Sequence, residues 1–262
     1  MIFLASIGNT NLIYGLYRRR IVASGYHPAG RLSCEEDALC LFRRFLRDSG
    51  AAADEIEGVV LASVVPEKTL MIRDAAARAF CAEPVLISGR TNWEFDTSAY
   101  SGVLGTDRLL CCSAALRKYT PPLIVVDFGT ATTLNIINAD GAFAGGVILP
   151  GITTGLRALA AGTSQLPDIT FFELKSAIGT NTAECMLSGA TFGAAFMLEG
   201  FRKRMEQELG AAATLVVTGG NAKNVIPYCN FEFHYEPELL LEGLAFQSGR
   251  LRNAAEEKEK IL

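Results

Sequence analysis

Two aspartates and three glycine turns hold most of the chemistry this sequence offers. Asp127 closes the apolar run Leu123-Ile124-Val125-Val126, where a carboxylate is costly unless it meets a cation or hydrogen-bond donors. Asp107 lies in Leu104-Gly105-Thr106-Asp107-Arg108, at the expected first turn of a helix. Its position there leaves two roles open: stabilising the helix dipole, worth ~0.3–1 kcal/mol, or accepting a proton in catalysis. Arg108 beside it can fork onto a carboxylate, either its neighbour's or a substrate's. The turns are Gly8-Asn9-Thr10-Asn11, Asp127-Phe128-Gly129-Thr130-Ala131-Thr132-Thr133 and Thr218-Gly219-Gly220-Asn221, each directly after an apolar run. Small residues let backbone N–H groups approach an anion, and hydroxyls and amides add donors without bulk, as a polyphosphate requires. Their recurrence favours nucleotide binding over three unrelated β-turns. Neither GxxxxGK[ST] nor GxGxxG occurs, so a P-loop or a Rossmann dinucleotide site has no support.

The pattern of apolar residues predicts the elements that position these groups. Strands are expected at Ile2–Ile7, Leu12–Tyr17 and Ile21–Tyr26, followed by a helix capped by Ser33 and Glu36 and closed by Gly50. A strand at Val59–Ser63, a helix at Pro66–Phe80, a strand at Val85–Ser88 and a helix over Thr106–Tyr119 complete the first half. Pro121-Pro122 marks the boundary, which gives domains 1–119 and 120–262. The second half restarts with strands at Leu123–Asp127, Thr132–Asn138 and Ala142–Ile148. Helices follow at Thr153–Ala161 and from Thr182 to Leu209, the latter capped by Asn181 and Glu184. A strand at Leu215–Thr218 and helices at Ala222–Pro227 and Glu238–Glu257 finish it. Setting Ile7-Gly8-Asn9 on Phe128-Gly129-Thr130 aligns two strand–turn–strand units and points to an internal duplication. On that alignment Ser6 sits opposite Asp127. Two α/β layers with a ligand cleft between them are the expected architecture.

Composition limits the partners. The 262 residues are half apolar, and 24 Lys and Arg against 28 Asp and Glu leave a net charge of −4. This chain folds around real cores, and it lacks the basic excess of a duplex binder, so no nucleic-acid partner is expected. Arg18-Arg19-Arg20 reads as a solvated turn. No apolar run reaches membrane-span length and the N-terminus has no basic lead, which predicts a cytoplasmic protein without a membrane partner. Seven scattered cysteines without a CxxC pair, and only two histidines, argue against zinc. Most of these cysteines are expected to be buried in a reducing compartment.

Six ordered motifs make the reading specific. Ser6-Ile7-Gly8-Asn9-Thr10-Asn11, Gly105-Thr106-Asp107-Arg108, Val126-Asp127-Phe128-Gly129-Thr130-Ala131-Thr132-Thr133, Gly145-Gly146-Val147-Ile148-Leu149-Pro150-Gly151, Ile178-Gly179-Thr180-Asn181-Thr182 and Thr218-Gly219-Gly220 resemble, in order and spacing, those of type III pantothenate kinases. The resemblance implies duplicated ribonuclease-H-like domains of the acetate/sugar kinase–actin superfamily, with ATP between them. It further implies phosphorylation of pantothenate to 4'-phosphopantothenate, the first step of coenzyme A synthesis. Asp107 would then be the base, and Tyr100, Gly105, Thr106, Asp107, Arg108 and Thr182 would contact substrate. Ser6, Ile7, Gly8, Asn9, Thr10, Asn11, Leu12, Ile13 and Thr130 would hold ATP, with Mg2+. Asp127 would bind a monovalent cation, K+ or NH4+, and the protein would be a homodimer. The chain departs from the family pattern at Ser6, where the family has Asp. A hydroxyl there supplies no charge to magnesium, so a weakened kinase, or a silent nucleotide-binding regulator, is the alternative. The proline that usually precedes the Gly-x-Asp-Arg motif is also absent from Tyr100-Ser101-Gly102-Val103.

Overall fold

The computed structural model describes the chain from Met1 to Glu259. It divides into two compact units, one of Met1–Glu94, Gly102–Ala114 and the residues from Glu238 onward, the other of Phe95–Ser101 and Ala115–Pro237. The first unit contains β1 (Ile2–Ile7), β2 (Asn11–Tyr17), β3 (Ile21–Pro28), α1 (Glu35–Ser49), β4 (Gly58–Ser63), α2 (Pro66–Phe80) and β5 (Pro84–Ile87), in sheet order β3-β2-β1-β4-β5. Side chains alternate across a strand, and here they serve two cores. Phe3, Ala5 and Ile7 join Leu39 and Phe42 of α1 and Ala76 and Phe80 of α2; Phe3 lies 4.9 Å from Phe42 and 4.3 Å from Phe80, ring centre to ring centre. Ile2 and Leu4 instead join Val60, Ala62, Ile87 and a C-terminal helix.

That helix, α6 (Leu239–Glu259), explains why the units do not follow a single cut at 119/120. Leu241, Leu244 and Ala245 share one helical face and cover the side of the first sheet that α1 and α2 leave bare. Gly243 meets the backbone of α3 (Thr106–Lys118) at Leu110. Gln247 donates to Glu94 at 2.7 Å and to Ser113 at 3.0 Å, and Arg250 pairs with Glu94 at 2.6 Å. Trp93 packs in the same layer.

The second unit repeats the plan. Its strands are β6 (Leu123–Phe128), β7 (Ala131–Ile137), β8 (Phe143–Pro150), β9 (Thr214–Thr218) and β10 (His234–Tyr235), in the order β10-β9-β6-β7-β8. β6 pairs antiparallel with β7 and parallel with β9, as β1 does with β2 and β4. Ile124, Val126 and Phe128 pack with Ala194, Ala195 and Leu198 of α5 (Thr182–Leu209), whose small residues admit the strands closely. α4 (Ile152–Gly162) precedes it. Two five-stranded mixed sheets of identical connectivity are the duplicated α/β fold expected from the sequence.

Some local expectations change. The N-cap of α1 is Cys34, and Asp37 rather than Glu36 closes the cap, accepting from the Ser33 and Cys34 N–H groups at 2.8 and 3.1 Å. Glu36 is drawn to Arg78 instead. The helix expected over Ala222–Pro227 is two 3-10 turns, Ala222–Asn224 and Ile226–Tyr228. The cysteines are largely not buried. Cys111 and Cys112 are, Cys229 is half-buried, and Cys34, Cys40, Cys81 and Cys185 are exposed at helix ends or on an outer helix face. Burial pushes the Cys112 thiol up to about 12, which keeps it neutral and unreactive.

A Cβ added at Gly243 would collide with the Leu110 carbonyl and lie 2.8 Å from its carbon. Gly243→Ala should therefore lower unfolding free energy by about 1–3 kcal/mol. The check is a lowered urea midpoint with an unchanged slope.

Candidate active site

β6 carries Asp127 to the end of the second sheet as the one half-buried residue of an otherwise buried strand. Its paired neighbours are Thr133 on β7 and Thr218 on β9. β9 then turns at Gly219 with φ +99, and a Cβ there would strike the Asp127 carboxylate and sit 2.5 Å from the Phe128 nitrogen. Only glycine meets both conditions. Gly129 leaves the other flank open, its would-be Cβ 3.4 Å from Asp127 Oδ1. Asn221 fastens the two turns together: its backbone N–H donates to the Phe128 carbonyl at 2.9 Å and its side-chain amide to that of Gly129 at 3.2 Å.

A third segment completes this cradle. The Gly151 N–H donates to the Thr130 carbonyl at 3.0 Å, and the Thr154 hydroxyl donates to it at 2.7 Å. The Thr153 hydroxyl donates to Asn221 Oδ1 at 3.1 Å. A Cβ on Gly151 would overlap the Gly129 and Thr130 carbonyls. Gly151 is also the N-cap of α4, whose first turn holds no acidic residue, and a helix N-terminus favours negative charge. Thr153 and Thr154 were not among the expected site residues. Their signal was a glycine followed by adjacent hydroxyls, read only as the start of a helix.

The first unit places its motifs at the carboxyl ends of its parallel strands, where open α/β sheets bind ligands. The Gly8 N–H donates to Asn11 at 2.9 Å and the Val64 N–H to Ile7 at 3.1 Å, and Gly89, after β5, would touch the Leu104 carbonyl at 3.2 Å if it carried a Cβ. Within 6–13, Ser6, Ile7 and Leu12 are buried, Gly8, Asn11 and Ile13 are partly buried, and Asn9 and Thr10 are exposed. Ile7 and Leu12 belong to the core and hold the turn by packing. Asp107 is half-buried in the first turn of α3, its Oδ1 accepting the Arg108 N–H at 2.9 Å. Gly105 lies so near that a Cβ would come within 2.5 Å of that oxygen. Thr106 and Arg108 are buried.

In the second unit Tyr100 stands edge-on to Phe143, ring centres 5.6 Å apart, and Thr130 is exposed at its turn. Thr182 is exposed at the start of α5, behind the expected cap. Asn181 Oδ1 accepts the Glu184 N–H at 3.0 Å, and Glu184 accepts from the Thr180 backbone and hydroxyl at 2.7 and 2.8 Å. Those bonds hold the Glu184 carboxyl below its usual range. Among the described residues no three His, Cys, Asp or Glu side chains gather as a metal cage. The residues paired with Asp127 across the sheet, Thr133 and Thr218, carry hydroxyl oxygens, a ligand type that suits a hard cation.

A family model described as type III pantothenate kinase matches residues 2–204. A type III pantothenate kinase of Thermomicrobium roseum is 33% identical over 246 residues, 93% of this chain and 95% of that protein. Among solved structures, the activator of the 2-hydroxyisocaproyl-CoA dehydratase from Clostridium difficile, with bound ADPNP, superposes with a TM-score of 0.55 at 14% identity, covering 100% of this chain and 97% of its own. MreB 5 of Spiroplasma citri, bound to AMPPNP, gives 0.55 at 10% identity, covering 98% of each chain. These likenesses show a shared fold.

Gly219→Ala should disrupt the cradle through both its φ and the contact with Asp127. The expected result is a loss of ATP affinity of about tenfold or more, equal to at least ~1.4 kcal/mol, by calorimetric titration of the folded variant.

Proposed function

This chain belongs to the type III pantothenate kinase family, and we infer that it transfers the terminal phosphoryl group of ATP to the hydroxyl of pantothenate, in the first step of coenzyme A synthesis. The observation that supports the nucleotide half of this reading is the close meeting of three turns around Asp127, where a Cβ on Gly219 would strike the carboxylate and one on Gly151 would overlap the Gly129 and Thr130 carbonyls, so that only glycine lets these segments approach. Thr130 and the Gly8–Asn11 turn would hold ATP phosphates. Asp127 would hold K+ or NH4+.

Asp107 would act as base. Oδ1 is engaged with the Arg108 N–H, which orients the carboxyl group and leaves Oδ2 to accept the hydroxyl proton. As that proton moves to Asp107, the substrate oxygen bonds the γ-phosphorus and the bond from that phosphorus to the β–γ bridging oxygen breaks, releasing ADP. Little covalent chemistry is asked of the protein, since phosphoryl transfer depends on position and charge neutralisation. Arg108 would fork onto the pantothenate carboxylate, with Tyr100, Gly105, Thr106 and Thr182 completing the substrate contacts.

Magnesium carried by ATP neutralises charge on the transferring group. Ser6, 6% exposed on the strand that matches β6, gives it a hydroxyl where the family has a carboxylate, so hold on the metal rests on phosphate oxygens and water. Weakened catalysis follows from that substitution. We propose a cytoplasmic homodimer; no described helix is long and apolar enough to cross a membrane.

ADP release should depend on pantothenate, and Asp107→Asn should lower kcat by about 10²–10⁴-fold with ATP affinity little changed. Ser6→Asp should raise the native rate and lower the magnesium concentration needed for half-maximal turnover. No pantothenate-dependent ADP release from either the native chain or Ser6→Asp would overturn the reading.

A further inference from the structure

We propose that a basin on the first unit, walled by Arg31, Arg43, Arg44 and Arg47 with His27 at its side, binds a small phosphate-bearing anion. The cavity measures about 630 Å³ and is completed by residues including Asp37, Cys40 and Leu41. Small-molecule sites run to ~300–1,000 Å³, so the space suits a compact ligand. It shares no residue with the Asp127 cradle or with the Gly105–Arg108 turn.

Charge is sorted along α1. Glu35 and Glu36 at its start are met by Arg78 at 2.6 and 3.4 Å, and Asp37 is committed to the helix cap. Cys40, Arg43, Arg44 and Arg47 fall on one face by helical spacing. Complementing the helix dipole would account for Arg47, in the last turn, but not for Arg43 and Arg44 a turn earlier. Nor would it bring Arg31 and His27, from a 3-10 turn and from β3, to the same basin. Arg47 pairs with Asp48 at 3.3 Å; Arg31, Arg43 and Arg44 form no ion pair among the described residues. Four arginines thus line the basin beside a single lining carboxylate, Asp37, with Asp48 paired to Arg47 outside it, on a chain of net charge −4.

The site is also held in place. Lys68 donates to the Leu32 carbonyl at 3.0 Å and to that of Ala29, and so fixes the turn that carries Arg31 before any ligand arrives. Planar guanidinium forks match phosphate oxygens two at a time.

Cys40 lines the basin and is exposed, so it reports occupancy without reference to catalysis. The experiment follows alkylation of each cysteine by peptide mass spectrometry, with millimolar pyrophosphate or with potassium chloride of equal ionic strength. Pyrophosphate should slow Cys40 several-fold while exposed Cys81 and Cys185 keep their rates, and potassium chloride should have no such effect. Arg43→Ser/Arg44→Ser should abolish the protection. Continued inertness of buried Cys111 and Cys112 confirms that this variant is folded; if they react, Arg44→Gln takes its place. No protection, equal slowing by potassium chloride, or protection that survives in the folded variant would overturn the proposal.

Discussion

A carboxylate at the end of a buried strand forces its surroundings to answer for its charge. Asp127 follows four wholly buried apolar residues, in a position where an unanswered charge would cost several kcal/mol or titrate away. The second unit responds with glycine where any side chain would press on the carboxylate, and with threonines on both neighbouring strands. Asn221 then locks two of the turns together. The cradle exists because β6, β9 and the α4 approach all end at one place, and the parallel pairing of β6 with β9 is what brings Gly219 to Asp127. In the proposed function a cation at Asp127 would stand between this carboxylate and the nucleotide's phosphates.

The duplication makes the asymmetry informative. Ser6 and Asp127 are each the fifth residue of a six-residue central strand, with the same pairing on both sides. One half carries a carboxylate there and the other a hydroxyl. In the proposed function, catalytic strength would depend on how well phosphate oxygens and water serve where the first half offers only a hydroxyl. The fold itself is indifferent, because both strands owe their stability to alternate apolar residues serving two cores.

Much of this was readable from residue order. The central strands, the α2 and α5 boundaries and the Asn181–Glu184 cap follow from local periodicity and short-range hydrogen bonding, and the repeat from two matching turns. Three kinds of feature were not. Long-range partnership was one: α6 follows the second unit in sequence yet its Leu241, Leu244 and Ala245 face fits the first sheet, a match that no local pattern reveals. Competition between near-equivalent groups was another, since Asp37 took the cap once Arg78 engaged Glu36. The outward cysteines were the third, because a small thiol tolerates helix ends and outer faces as well as cores. At the site, Asp127 and its glycines stood out by type and position, whereas Thr153 and Thr154 gain meaning only when α4 is seen to start beside Thr130.

The dependence of nucleotide binding on Asp127 and a monovalent cation is measured most directly by calorimetric titration of ATP, in potassium and in tetramethylammonium at equal ionic strength, for the native chain and Asp127→Asn. The native protein should lose affinity by about tenfold or more, at least ~1.4 kcal/mol, when potassium is withdrawn, and the variant should bind weakly in both salts. Native binding indifferent to potassium, or a variant that retains the full potassium response, would contradict the assignment of Asp127.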